Sequence, residues 1–258
     1  MDEPEPGDVF GELIKDAWAV RTGVGPRPLA GGRVPRPVIE VIERDDGLIN
    51  GAPADHYLGE PAEWQPHDHR ALRLCRGAVL DIGCGAGRTA LELQRRSMAV
   101  TGLDVSPGAI EVARKRGLRD TVVATVGDFT RSATRYDTFL LLGNNLGLLG
   151  GREQAPGFLA SLAQLARPGA RIVAQGTDPY GTTDPVHVAY HQRNRDRGRL
   201  GGQLRLRLRY RRLATDWFDY LNCSVPELEE LLEGTAWRLK SVDVQDRPYY
   251  LAVMELTP

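Results

Sequence analysis

Three glycines alternate with small residues in Asp81-Ile82-Gly83-Cys84-Gly85-Ala86-Gly87-Arg88, directly after the apolar pair Val79-Leu80. Glycine there lets the chain turn sharply and lets backbone N–H groups approach a ligand, and a helix opening at the same point adds a positive dipole end. Such a turn recognises a nucleotide-type ligand with a carboxylate or phosphate. Two further acids follow at the ends of later apolar runs: Asp104 in Thr101-Gly102-Leu103-Asp104, and Asp128 in Gly127-Asp128-Phe129.

To bring these residues together, the chain needs parallel strands joined by crossover helices, and from Gly77 onward strand-like and helix-like segments alternate. Strands are expected at Ala78–Ile82, Ala99–Asp104, Val122–Val126, Thr138–Leu142 and Arg171–Gln175. Helices are expected at Arg88–Arg96, from Ser106-Pro107 (an N-cap and a first-turn proline) through Lys115, and from Pro156 or Gly157 to Leu165. The tail adds Leu204–Leu213, with leucine or tyrosine alternating with arginine, a helix at Val225–Leu232, and strands at Trp237–Val244 and Tyr249–Leu256. Ahead of the alternation come an amphipathic helix over Val9–Val20, a Gly/Pro/Arg-rich connection or mobile lid from Thr22 to Pro37, and a hairpin formed by Val38–Glu43 and Leu48-Ile49-Asn50 about Asp45-Asp46-Gly47.

The G-x-G-x-G spacing departs from the dinucleotide fingerprint G-x-G-x-x-G and, with Asp81 before it, resembles the first motif of the Rossmann-like (class I) S-adenosylmethionine-dependent methyltransferases. The resemblance runs over about residues 77–175. It implies an α/β fold: a doubly wound, mostly parallel seven-stranded Rossmann-like sheet, with an N-terminal helix and hairpin extension and a cover insertion after strand five. Residues 1–70 would form the extension and lid, and 71–258 the methyltransferase domain with its insertion at about 176–203. The implied cofactor is S-adenosylmethionine, with S-adenosylhomocysteine as product.

In that family the position of Asp104 receives both ribose hydroxyls, which suits a carboxylate with two acceptor oxygens. Asp128 would accept from the adenine amine, with Phe129 flanking the ring. Gly83, Cys84, Gly85 and Val105 complete the expected cofactor contacts beside Asp81, with Gly143 and Asn144 after strand four. Arg88 has two readings, a pair with the methionine carboxylate or a solvated first-turn side chain. Ser106-Pro107 and Arg167-Pro168-Gly169-Ala170 also look like the family's turns at those places.

The 33 basic and 34 acidic residues leave no bulk field, so general polyanion binding is not favoured. Three widely spaced cysteines support neither a disulfide framework nor a zinc knuckle. The acidic start Met-Asp-Glu-Pro-Glu-Pro lacks a secretory pattern, and no apolar run approaches bilayer-spanning length. A soluble, cytoplasmic protein without a bound metal is expected; its oligomeric state has no sequence signal.

The methyl acceptor is expected at the carboxyl ends of the strands. Leu141-Leu142-Gly143-Asn144-Asn145 lacks the Pro-Pro of the nucleic-acid base amino-methyltransferases, and its Gly-Asn-Asn looks like the Gly-Asn-Ser of glycine and sarcosine N-methyltransferases. Asn144 is therefore a substrate-site candidate, with a structural turn as its other reading. Tyr57, ahead of the first strand, is a second candidate. In the expected cover, Asp184 or Thr183 caps a helix begun by Pro185 and carrying His187, Tyr190 and His191, with Tyr180 before it. His187 and His191 share a face but lack the third ligand a zinc site needs; they are read as surface or capping residues, with taking a proton from a hydroxyl or ammonium substrate as the alternative. Arg205, Arg207, Arg209 and Arg211 would line one side of a strand. That row is read chiefly as a solvated face paired with acids, with RNA methylation on it as an alternative. A non-catalytic S-adenosylmethionine-binding protein is the remaining reading beside the principal one, methyl transfer to an O, N or C atom of a small, specialised metabolite.

Overall fold

The computed structural model describes residues 5–23, 37–244 and 247–257. The chain runs β1 (Glu5–Pro6), α1 (Val9–Thr22), β2 (Ile39–Arg44), β3 (Ile49–Pro53), α2 (Pro66–Leu74), β4 (Val79–Ile82), α3 (Arg88–Arg95), β5 (Val100–Asp104) and α4 (Pro107–Lys115). It continues through β6 (Asp120–Val123), α5 (Val126–Phe129), β7 (Tyr136–Leu141), α6 (Ala155–Leu165), β8 (Ala166–Thr177), α7 (Pro185–Asp196) and β9 (Gln203–Tyr210). The last elements are β10 (Leu213–Ala214), β11 (Phe218–Leu221), α8 (Val225–Leu232), β12 (Trp237–Asp243) and β13 (Tyr249–Leu256).

Seven strands form one sheet in the order β12-β13-β8-β7-β4-β5-β6. The run from β8 to β6 is parallel, and only β13 and β12 pair antiparallel. Both faces are covered, which is why these strands read as nearly unbroken apolar runs. On one side Leu80, Leu103, Phe139 and Ile172 pack with Leu159 and Leu162 of α6, Leu228 of α8 and Trp237. On the other, Val79, Leu140 and Val173 pack with Leu72 of α2 and Leu91 of α3.

The helix starts follow from local chemistry. Ser106 caps α4 by accepting from Ala109 N, and Pro107 fills the first position. Asp184 likewise caps α7 ahead of Pro185. The third parallel strand is earlier than its expected range: Thr125 accepts from Asp128 N and opens α5 at Val126, so capping wins over the β preference of that valine. The Gly/Pro-rich connection lies, for residues 24–36, outside the described residues.

A second sheet of six strands, ordered β1-β10-β9-β2-β3 with β11 also paired to β9, roofs the carboxyl ends of the first. The N-terminal hairpin β2–β3 joins it by pairing β2 to β9, Val41 opposite Arg209 and Glu43 opposite Arg207. Strand alternation then puts Glu40, Ile42 and Arg44 on the inner face with Leu206 and Leu208, and the arginines with Glu43 on the outer. A third apolar cluster joins the roof to the glycine turn and α4: Leu13, Ile14, Leu58, Ala86, Val112 and Tyr210.

Helix α1 docks on α4 through close backbone contact. A Cβ on Gly108 would fall 2.7 Å from the Cα of Gly11, so both positions need glycine. The Asp8 carboxylate locks the joint, capping α1 through Gly11 N and accepting from Ser106 Oγ at 2.7 Å and Gly108 N at 2.8 Å.

Candidate active site

The glycine turn occupies the gap between the ends of β4 and β5. Gly83 has φ +67°, and a Cβ there would lie 2.5 Å from Asn145 Nδ2, which donates to the carbonyls of Ile82 and Gly83 at 3.0 Å each. The turn is thereby tied to the loop after β7. Gly85 N donates at 2.8 Å to one oxygen of Asp104, and Ser106 N donates at 2.9 Å to the other. Each Asp104 oxygen keeps acceptor capacity after those bonds, the pattern a vicinal diol requires. Burial raises the Asp104 pKa, and the two N–H donors oppose that shift.

Asp81 lies deeper and is 2 % exposed; it accepts from Thr89 Oγ1 at 2.7 Å. Burial pushes its carboxyl up to about 6. Cys84 is also buried, which raises its thiol well above the usual range. Beside Asp104, Val105 is 65 % exposed, an open apolar surface at the rim of the cleft. Asp128 is exposed and accepts from Thr125 Oγ1 at 2.7 Å, while Phe129 turns half-buried onto the core beside Tyr136.

Arg88 is not the solvated first-turn side chain of one expected reading. Its two terminal nitrogens donate to the two oxygens of buried Asp68 at 2.9 and 3.1 Å, and its guanidinium lies 5.0 Å from the Trp64 ring centroid. The polar chain continues from Asp68 to its neighbour His67, whose Nε2 is 2.9 Å from Gln175 Nε2. Gln175 Oε1 then accepts from Gly143 N and Asn144 N at 3.0 and 3.3 Å. The first turn of α3 and the loop after β7 thus share one chain of contacts.

Asn144 adopts φ +66° and has a fully engaged side chain, donating to Asn222 Oδ1 at 3.0 Å and accepting from Thr177 Oγ1 at 2.9 Å. Its carbonyl accepts from the Tyr220 hydroxyl of the roof at 2.7 Å. Tyr57 reaches the same region: its hydroxyl donates to buried Glu40 at 2.9 Å, and its ring meets Phe10 edge-on at 5.0 Å. Phe10 lies against the glycine turn, since a Cβ on Gly85 would be 3.4 Å from its ring.

The α7 candidates gather farther out. His187 Nδ1 lies 3.0 Å from a guanidinium nitrogen of Arg44, which is itself bound by Asp46 and stacked 4.0 Å from the Tyr190 ring centroid. Tyr190 donates to Asp45, and Tyr180, 43 % exposed, donates to Glu227. His191 is buried, and burial, then Arg195, His187 and Arg44, lower its pKa. Of the substrate-site candidates, only Tyr57 and Asn144 converge on the glycine turn.

Sequence reasoning passed over Glu40, Phe10, Tyr220 and Gln175. For Glu40 a signal existed: it stands in phase with Ile42 in Ile39-Glu40-Val41-Ile42-Glu43, a charge on the side of a strand that a partner sheet would bury.

A mostly parallel seven-stranded sheet with a glycine turn and an acid at adjoining strand ends defines a Rossmann-like, ligand-binding α/β protein. Residues 79–169 match the family model described as a methyltransferase domain. A demethylmenaquinone methyltransferase of Tropheryma whipplei is 30% identical over 118 residues, 44% of this chain and 48% of that protein. A ubiquinone biosynthesis O-methyltransferase of Methylocella silvestris is 30% identical over 181 residues, 67% of this chain and 62% of that protein. The fold matches a SAM-dependent methyltransferase of Bacteroides fragilis solved with S-adenosyl-L-homocysteine, at TM-score 0.78 and 22% identity over 99% of this chain and 98% of that one. Residues 79–169 thus carry a methyltransferase domain, within a fold shared with S-adenosylmethionine-dependent methyltransferases. The chain spans about half the length of the first curated relatives it matches.

Proposed function

We propose that this chain binds S-adenosylmethionine across the ends of β4, β5 and β7 and transfers its methyl group to a small-molecule nucleophile. The observation that carries the reading is Asp104, a buried carboxylate fixed by Gly85 N and Ser106 N with one acceptor position left on each oxygen. Asp104 would hold the ribose diol, Val105 would face the adenine, and Asp128 would accept from its amine. The backbone N–H groups of the glycine turn and the positive end of α3 would face the methionine carboxylate. Arg88, already engaged by Asp68, orients that first turn rather than meeting the ligand. The cofactor supplies a methyl group on a positively charged sulfur, open to in-line displacement.

What the chain adds is positioning and exclusion of water, by α1, the roof sheet and the loop from Gly143 to Asn145. A small specialised metabolite is the acceptor class favoured, since the roof meets the loop after β7 through Tyr220 and Asn144. RNA is not favoured, because the arginine row of β9 meets acids: Arg207 and Arg209 pair with Glu43, Arg205 with Asp219, and Arg211 with Asp16.

Titration calorimetry tests the cofactor reading. S-adenosylhomocysteine should bind the folded protein, and Asp104→Asn should weaken it roughly 10- to 100-fold, the range for losing charge-assisted hydrogen bonds. No heat of binding with folded wild-type protein would overturn it.

A further inference from the structure

Glu40 is 4 % exposed, on the inner face of the roof, and its charge is met differently from those of Asp104 and Asp68. Asp104 has two backbone N–H donors and Asp68 has a bidentate arginine. Glu40 has one hydrogen bond among the described residues, from the Tyr57 hydroxyl, and no Lys or Arg within ion-pair distance. His56 stacks on Tyr57 with centroids 3.9 Å apart, but its Nδ1 is committed to the Pro53 carbonyl at 2.6 Å. A carboxylate removed from water with a single phenol as partner is costly to the empty fold.

The surroundings indicate what would offset that cost. Phe10 meets Tyr57 at 87°, and the Glu40 charge acts on both the Tyr57 and the Tyr220 phenols, which burial has already raised. Tyr220 is bonded in turn to the carbonyl of Asn144. A carboxylate bonded to Tyr57, whose ring packs on Phe10 beside the glycine turn, fits a compact organic cation: the carboxylate keeps most of its acceptor positions, an ammonium brings three donors, and aromatic rings attract cations.

We propose that Glu40, with Tyr57, Phe10 and Tyr220 around it, is the recognition site for a protonated amine on the methyl acceptor. The acceptor class is then a molecule bearing a basic amine, held as an ammonium that serves as the handle and not, while protonated, as the nucleophile; this inference rests on the methyl-transfer reading above. Arg44, at the far end of the same inner face, is taken up by Asp46.

The test uses benzylamine, benzyl alcohol and benzoate as probes of one shape and three charges, titrated into protein saturated with S-adenosylhomocysteine. Benzylamine should bind about tenfold tighter than the alcohol, with benzoate weakest, the size expected of one desolvated ion pair with cation–π support. Glu40→Gln, which keeps the shape and an acceptor for Tyr57, should abolish that preference and leave S-adenosylhomocysteine affinity unchanged; Tyr57→Phe should reduce the preference without removing it. Equal binding of the three probes, or a benzylamine preference that survives Glu40→Gln, would overturn the assignment. So would a Glu40→Gln variant that loses affinity for the cationic analogue sinefungin but not for S-adenosylhomocysteine, because Glu40 would then serve the cofactor. If S-adenosylhomocysteine itself fails to bind wild-type protein, the methyl-transfer reading falls and takes this inference with it.

Discussion

Asp81 and Asp104 stand at neighbouring strand ends, yet different groups meet their charges. Asp104 faces the cleft with N–H donors on both oxygens, whereas Asp81 is enclosed behind the glycine turn with one hydroxyl, and burial holds its pKa at about 6. A folded-state pKa above the unfolded value means the native state binds the proton more tightly. Stability from Asp81 is therefore full below about pH 4 and is lost as pH rises through about 6. Two units at roughly 1.4 kcal/mol each give a loss of about 3 kcal/mol. Urea unfolding at pH 4.5 and 7.5 should show most of that loss in wild type relative to Asp81→Asn; a constant difference between the two proteins would count against the account. The sequence made the acid visible but not its environment, because Thr89 reaches it only after α3 has formed. Arg88 illustrates the same limit: its partner Asp68 lies on α2, and nothing in the local spacing announces the pair.

At the scale of elements, most helix starts were legible because their chemistry is local. Ser106-Pro107 and Asp184-Pro185 each fix a boundary within three residues. The third parallel strand was misplaced by a few residues for a related reason, since the capping side chain of Thr125 outranked a run of β-branched residues. The seat of α1 was not legible at all. It depends on Gly11 meeting Gly108 across nearly a hundred residues, a contact invisible to periodicity. Gly108→Val should therefore lift α1 from α4 and, by overpacking, cost about 1–3 kcal/mol or more. Hydrogen exchange should speed up in residues 9–22 while the central strands stay protected. Uniform loss of protection would instead point to collapse of the whole domain.

For the whole molecule, the alternation of strands and helices marked the five parallel strands and the family resemblance implied the seven-stranded sheet, whereas the roof was not foreseen as a sheet. Its hairpin and its arginine-leucine strand were each readable, but their pairing joins Val41 to Arg209, and a long-range register has no local signature. That pairing also explains the arginine row, which meets Glu43 and Asp219 and stacks Arg207 on Trp217. The expected result is weak RNA retention in a filter assay at physiological salt, unaffected by Arg207→Glu. The same substitution should lower stability by about 1 kcal/mol or less, as for other partly exposed pairs. Steeply salt-dependent RNA binding that Arg207→Glu weakens would restore the alternative.

The pairing of β2 with β9, and of β8 with β13, also sets an order on folding. A nascent chain can assemble the parallel strands β4 to β7 in sequence, but β2 must wait, unpaired on its outer side, until residues beyond 203 arrive, and β8 waits for the final strand. The cleft is therefore roofed last, by the contacts with the greatest separation along the chain, and these are the slowest to close. Glu40 enters its dry setting only at that final step, so the charge is hydrated through most of folding and meets its desolvation cost when the rest of the domain is already in place.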